Sequence, residues 1–132
     1  MMQKELVDTW IRLQKADLDS TEYKRGEWSA VKLNMMCVTE PGTAWEIVIK
    51  IFESTSDAWI YENLGVGPLE TLLGMHSDFA LNAMKSYAEL NPEFLEVAAY
   101  VWPHSLAPEV AQKFLAIADQ SESSSGRRPK MK

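Results

Sequence analysis

Apolar residues recur along this chain at helical spacing, and residues that start or stop helices cut the pattern at short intervals. Leu6, Trp10 and Leu13, with Val7 and Ala16 alongside, share one face of a helix predicted from about Gln3 to Asp17. Residues 17–27 are polar and include Gly26, so they read as a connection with room for a partial helical turn. Trp28, Val31, Met35 and Val38 mark a second helix, which has to end before Pro41. Thr39 then caps a third, with Pro41 in the first turn, where no amide is needed. That helix runs to about Ser54. Its stripe of Ala44, Ile47, Val48, Ile51 and Phe52 is widened by Trp45 and Ile49, as in a central helix.

Short helices follow. Ser56 or Asp57 starts one carrying Trp59, Ile60 and Leu64, and Gly65 suits a left-handed stop. Gly67-Pro68 restarts the chain into Leu69, Leu72 and Leu73, with Glu70 near the positive end of the helix dipole. Ser77-Asp78 opens a helix through Phe79, Leu81, Ala83, Met84, Tyr87 and Ala88 to near Asn91. Asn91-Pro92-Glu93 repeats the cap-then-proline device ahead of Phe94, Leu95, Val97, Ala98, Val101 and Trp102, and Pro103 halts that helix. Ala107-Pro108-Glu109 opens the last one. No stretch alternates as a half-buried strand does. The expected fold is all-α, a compact array of about seven short helices packed as antiparallel hairpins. At 132 residues the chain fits one domain, residues 1–120. Residues 121–132, Ser-rich and then basic, read as a disordered tail.

Charge is segregated. Residues 1–39 carry six acids and six bases. From Glu40 to Glu122, thirteen acids face only Lys50, Lys85 and Lys113, a net of −10, and the last ten residues add Arg127, Arg128, Lys130 and Lys132. Direct nucleic-acid binding needs phosphate-neutralising cations on a folded face, so that balance argues against it. It suits a basic protein partner, although an acidic surface can also serve solubility alone. No apolar run approaches a membrane span, and the N-terminus lacks a secretory layout. The single Cys37 allows no internal disulfide, and the expected location is the cytoplasm.

The densest motif is Trp45-Glu46, followed by Asn63-Leu64-Gly65-Val66-Gly67-Pro68-Leu69-Glu70-Thr71-Leu72-Leu73 and His76. Over residues 28–102 it resembles a family of small bacterial all-helical domains of unknown function, and Ser77 departs from the glycine that the family pattern places after the histidine. The resemblance implies a compact helical array and no established activity. The Gly-Pro turn into a Leu-rich helix also suits one HEAT-type pair, with no second copy at the right spacing. Gly65-Val66-Gly67 lacks the lysine or preceding strand of a phosphate loop, so it reads as a turn.

Candidate sites follow from chemistry. His76 and His104 lie on different helix ends far from Cys37, which argues against zinc, and no metal or cofactor is expected. His76 with Glu70 and Glu46 has the makings of a base site, but a histidine at a helix C-terminus more often bonds last-turn carbonyls. Cys37 reads as an inert buried thiol, and the serines lack a nucleophile context. Five tryptophans read first as core anchors. No catalytic residue is assigned. Glu46, Glu53, Asp57, Glu62 and Glu70 are the expected partner-binding residues, and Trp45, Trp59, Asn63 and His76 a possible pocket. The leading expectation is a non-enzymatic module that binds a basic protein, of the immunity or antitoxin type. The alternatives are a small enzyme or ligand-binding domain around Glu46, Glu70 and His76, and an adaptor that self-associates through Trp and Met side chains.

Overall fold

A computed structural model describes residues 3–125, with side chains described as far as Asp119. The chain is all-α. Helix α1 (Gln3–Lys15) buries Leu6, Val7, Trp10 and Leu13, the stripe its spacing predicts. Helix α2 (Thr21–Thr39) folds back against it. It starts before the expected position, because Ser20 is its cap: the hydroxyl accepts the Tyr23 N–H at 3.0 Å. Of the polar segment read as a connection, residues 21–27 are therefore α2's first two turns, exposed except at the half-buried Tyr23 and the buried Gly26, and residues 17–20 remain the link. A methyl group on Gly26 would lie 3.3 Å from Leu13, so the missing side chain sets how closely α1 and α2 approach.

Which face of α2 goes inward is also corrected. The core takes Ser29, Leu33, Met36 and Cys37, while Trp28, Val31, Met35 and Val38 stand exposed. The buried face carries enough apolar surface of its own, and it is the face that α1, α3 and α5 cover. The tryptophans divide likewise: Trp10 is buried and Trp45 half-buried, whereas Trp28, Trp59 and Trp102 are exposed.

Helix α3 (Pro41–Ser54) is the central element. Ala44, Ile47, Val48 and Ile51 have no solvent exposure, and Phe52 faces an aromatic cluster. Glu40, not Thr39, holds the cap position, and Thr39 instead donates to the Met35 carbonyl at 3.0 Å. Asp57 caps α4 (Ala58–Leu64) as expected, accepting the Trp59 N–H at 2.8 Å.

The Gly65–Leu69 segment departs most from expectation. Gly65 is right-handed helical (φ −69°, ψ −50°), and the helix runs on through a π turn, Gly65–Leu69, into α5 (Glu70–Met75). Pro68 has no N–H for the carbonyl four residues back and would clash with it; the wider π turn relieves both problems without ending the helix. The reversal that a HEAT-type pair needs is therefore missing here. Gly65 is required for another reason: a methyl group there would sit 2.4 Å from the Val97 carbonyl oxygen.

Helix α6 (Ser77–Leu90) buries Ala80, Leu81, Met84 and Ala88 but leaves Phe79 exposed. His76 occupies its cap position without a side-chain cap bond. A 3₁₀ turn, Pro92–Phe94, leads into the short α7 (Leu95–Ala98). A second 3₁₀ turn, Pro103–Ser105, precedes α8 (Pro108–Ser125). Helix α8 continues past residue 120, where sequence places the domain's end, and Arg127, Arg128, Lys130 and Lys132 lie outside the described residues. No helix among the described residues is long and apolar enough to cross a membrane.

Candidate functional site

The five carboxylates singled out in the sequence engage different parts of the fold. Glu46 accepts from the Gln3 side-chain amide at 3.2 Å, and Gln3 also accepts from Lys50. Glu53 accepts the Tyr87 hydroxyl at 2.7 Å, tying α3 to α6. Asp57 pairs with Lys15 at 2.8 Å, and that hydrogen bond, with the Trp59 N–H, holds its carboxyl below the usual aspartate range. Glu62 lies half-buried on α4.

Glu70 has the most structural part. One of its oxygens accepts the Trp102 backbone N–H at 3.0 Å and the other the Ser105 hydroxyl at 2.9 Å. A single carboxylate thus fastens the segment between α7 and α8 onto α5, with charge-assisted bonds to both donors. Glu70→Ala is expected to cost about 1–3 kcal/mol, with exchange protection lost first at the Trp102 amide. Hydrogen exchange read by NMR checks this; unchanged protection at Trp102 would refute the anchoring role.

An acidic patch that sequence reading missed lies around two phenols. Tyr61 and Tyr87 flank Phe52 and Phe94, with ring centroids 5.3–6.0 Å from Phe52 and 5.5 Å between Tyr87 and Phe94. Burial pushes the Tyr87 hydroxyl far above the usual range, and its hydrogen bond to Glu53 and the nearby charge of Glu93 push it further. Burial raises Tyr61 as well, followed by the charges of Glu96 and Glu93. Among the described residues, the charge of Glu93 reaches both phenols, that of Glu53 reaches Tyr87 and that of Glu96 reaches Tyr61. These three acids belong to α3, the first 3₁₀ turn and α7. The sequence signal is Glu93-Phe94-Leu95-Glu96, in which two acids bracket two buried residues.

Of the four residues read as a possible pocket, Trp59 and Asn63 stay together, and Trp45 and His76 each pack or bond elsewhere. Trp45 stacks edge-on against Tyr87 and Phe94, at 6.2 and 5.5 Å. His76 reaches the last turn of α2, its Nε2 2.7 Å from the Val38 carbonyl oxygen, which accepts. Glu46, Glu70 and His76 thus bond to three different segments. Trp59 donates its ring N–H to the Gln14 carbonyl at 2.7 Å, and Asn63 donates to the Trp59 carbonyl at 3.0 Å. Asn63 also lines a groove of about 450 Å³ between α1, α2 and the π turn, together with Trp10, Gln14, Val31, Asn34 and Pro68. Among the described residues, no side chain lining it is charged.

Cys37 lies fully buried and donates weakly to the Pro68 carbonyl at 3.6 Å. Burial pushes its thiol up to about 12, so it stays protonated and unreactive at neutral pH. Among the described residues, no group of three or more His, Cys, Asp or Glu side chains is placed to hold a metal ion.

Comparison with known proteins finds no matching curated protein and no matching solved structure. One family model, DUF6869, a family of unknown function, matches residues 7–122. That span takes in α2 to α7 entire, including the π turn and the acidic patch. The chain belongs to that family.

Proposed function

We propose that this protein is a non-enzymatic binding module whose acidic face holds a basic protein partner, in the manner of an immunity or antitoxin protein that neutralises a basic toxin or nuclease domain. The observation that carries this reading is the acidic patch around Tyr87, where Glu53 accepts the hydroxyl at 2.7 Å and the charge of Glu93 reaches it, with the charge of Glu96 reaching the neighbouring Tyr61. Like charges held together on a packed aromatic base create a negative field that attracts a cationic surface and speeds its association. Tyr87, half-buried beside such charges, adds contact area at little conformational entropy loss, while the buried Tyr61 belongs to the base beneath. Of the acids named from the sequence, Glu53 belongs to this patch with one oxygen accepting the Tyr87 hydroxyl, whereas Asp57 is paired with Lys15 and both oxygens of Glu70 accept internal bonds.

The test is affinity capture from native lysate at low and high salt, with wild type beside Glu53→Lys/Glu93→Lys/Glu96→Lys. Wild type is expected to retain one basic protein that high salt releases, and the triple variant to bind it at least about tenfold more weakly. Equal retention by both proteins, or none by either, would overturn the reading. A second reading, as a small-ligand module, draws on the uncharged groove, whose volume falls in the range of about 300–1,000 Å³ common for ligand sites.

A further inference from the structure

Helix α2 has two apolar faces and the fold covers one. The uncovered face carries Trp28, Val31, Met35 and Val38 at 36%, 59%, 58% and 39% exposure. Their spacing of three, four and three residues is that of a coiled-coil seam: Trp28 and Met35 take a positions, Val31 and Val38 take d. In this frame the core residues Gly26, Ser29, Leu33, Met36 and Cys37 all fall at b, c and f, on the far side of the helix. The seam is therefore centred on solvent. Flanking it are Glu27 at g and Lys32 at e, both exposed.

We propose that α2 is a homodimerisation helix that pairs in parallel with α2 of a second copy of this chain. The charge pattern selects both the occupant and its direction. In a parallel two-stranded pair, g of one helix faces the e position five residues on in the other. Glu27 then meets Lys32 of the second copy, and two-fold symmetry makes the contact twice. An antiparallel pair instead apposes e with e and g with g, which sets Lys32 against Lys32 and leaves Glu27 without a cation. A second copy also suits the chain's charge layout. Two molecules of net charge −6 repel, but residues 1–39 balance six acids with six bases, so contact there avoids the acidic block. The seam spans about two heptads, so its area falls in the small class of interfaces that form and dissociate with concentration. This surface is separate from the acidic patch, and the two proposals stand or fall independently.

Sedimentation velocity over a concentration series tests the proposal on surface variants, with circular dichroism to verify folding. Wild type is expected to move from monomer to dimer as concentration rises, and Val31→Glu to remain monomeric. Lys32→Glu and Glu27→Lys each place like charges together twice and should weaken the dimer about tenfold or more. The double variant Glu27→Lys/Lys32→Glu exchanges the charges and should restore wild-type association. A Val31→Cys variant should oxidise to a covalent dimer, because d faces d in the parallel pair. A wild type that stays monomeric, or a double variant no better than the single ones, would overturn the proposal.

Discussion

Phe94→Ala is expected to lower stability by about 3–5 kcal/mol and the melting temperature by roughly 10–20 °C, the largest effect of any single substitution considered for this chain. Phe94 has no solvent exposure and sits among Trp45, Phe52 and Tyr87, with ring centroids 5.2–5.5 Å away and edge-on geometry. Its loss removes a full aromatic burial and three edge-to-face contacts, and leaves a cavity between α3, α6 and α7 that the rigid neighbours cannot fill. Native domains hold only about 5–15 kcal/mol in total, so the variant would sit near the edge of folding. Phe94→Leu, which keeps most of the volume, should cost about 1–2 kcal/mol. Thermal and urea unfolding measure both. A cost below about 1 kcal/mol for Phe94→Ala would mean that the four-ring cluster does not pack as described.

Gly65→Ala is the second large effect, and its sign contradicts helix propensity. A right-handed helical glycine is normally improved by alanine by about 1 kcal/mol. Here the added methyl would meet the Val97 carbonyl oxygen at 2.4 Å and the Tyr100 Cβ at 3.0 Å. The nearest of these is backbone, which cannot swing aside as a flexible side chain does, so α4 would have to move off the 97–100 segment. The expected cost is about 2–3 kcal/mol. Gly67→Ala, two residues on, meets nothing within 4 Å and should be neutral or stabilising by up to about 1 kcal/mol. Opposite signs for the pair are the measurement; equal effects would refute the close approach.

Gly65 and Gly67 also show how the densest motif is used. The Asn63 to Leu73 run reads as a stop, a turn and a restart, yet every residue in it serves one helix that passes through a π turn. Leu64, Leu69, Leu72 and Leu73 are fully buried, Gly65 admits the Val97 carbonyl, and Glu70 fastens the Trp102 to Ser105 segment. The Pro68 carbonyl receives the Cys37 thiol. Local signals alone misread this run because glycine and proline usually end helices, and only the partner at Val97 reveals why a glycine stands mid-helix.

The candidate surfaces were less legible than the fold. Counting acids in sequence named Glu53 but not Glu93 or Glu96, since acids from separate elements come near the Tyr61 and Tyr87 hydroxyls only after α3, α6 and α7 pack around Phe94. The same counting included Glu70, whose solvent-facing look in sequence hides two internal donors.

By itself the sequence determined that the chain is helical, that α3 is its centre, and where most helices begin. Those properties rest on short-range physics: apolar spacing, side-chain caps and the fixed φ of proline. Only the tertiary structure decided which of α2's two apolar stripes lies inside, which glycine must stay a glycine, and which carboxylates share a face. Periodicity states that a helix has an apolar stripe; choosing between two such stripes depends on which neighbours arrive from elsewhere in the chain to cover one of them.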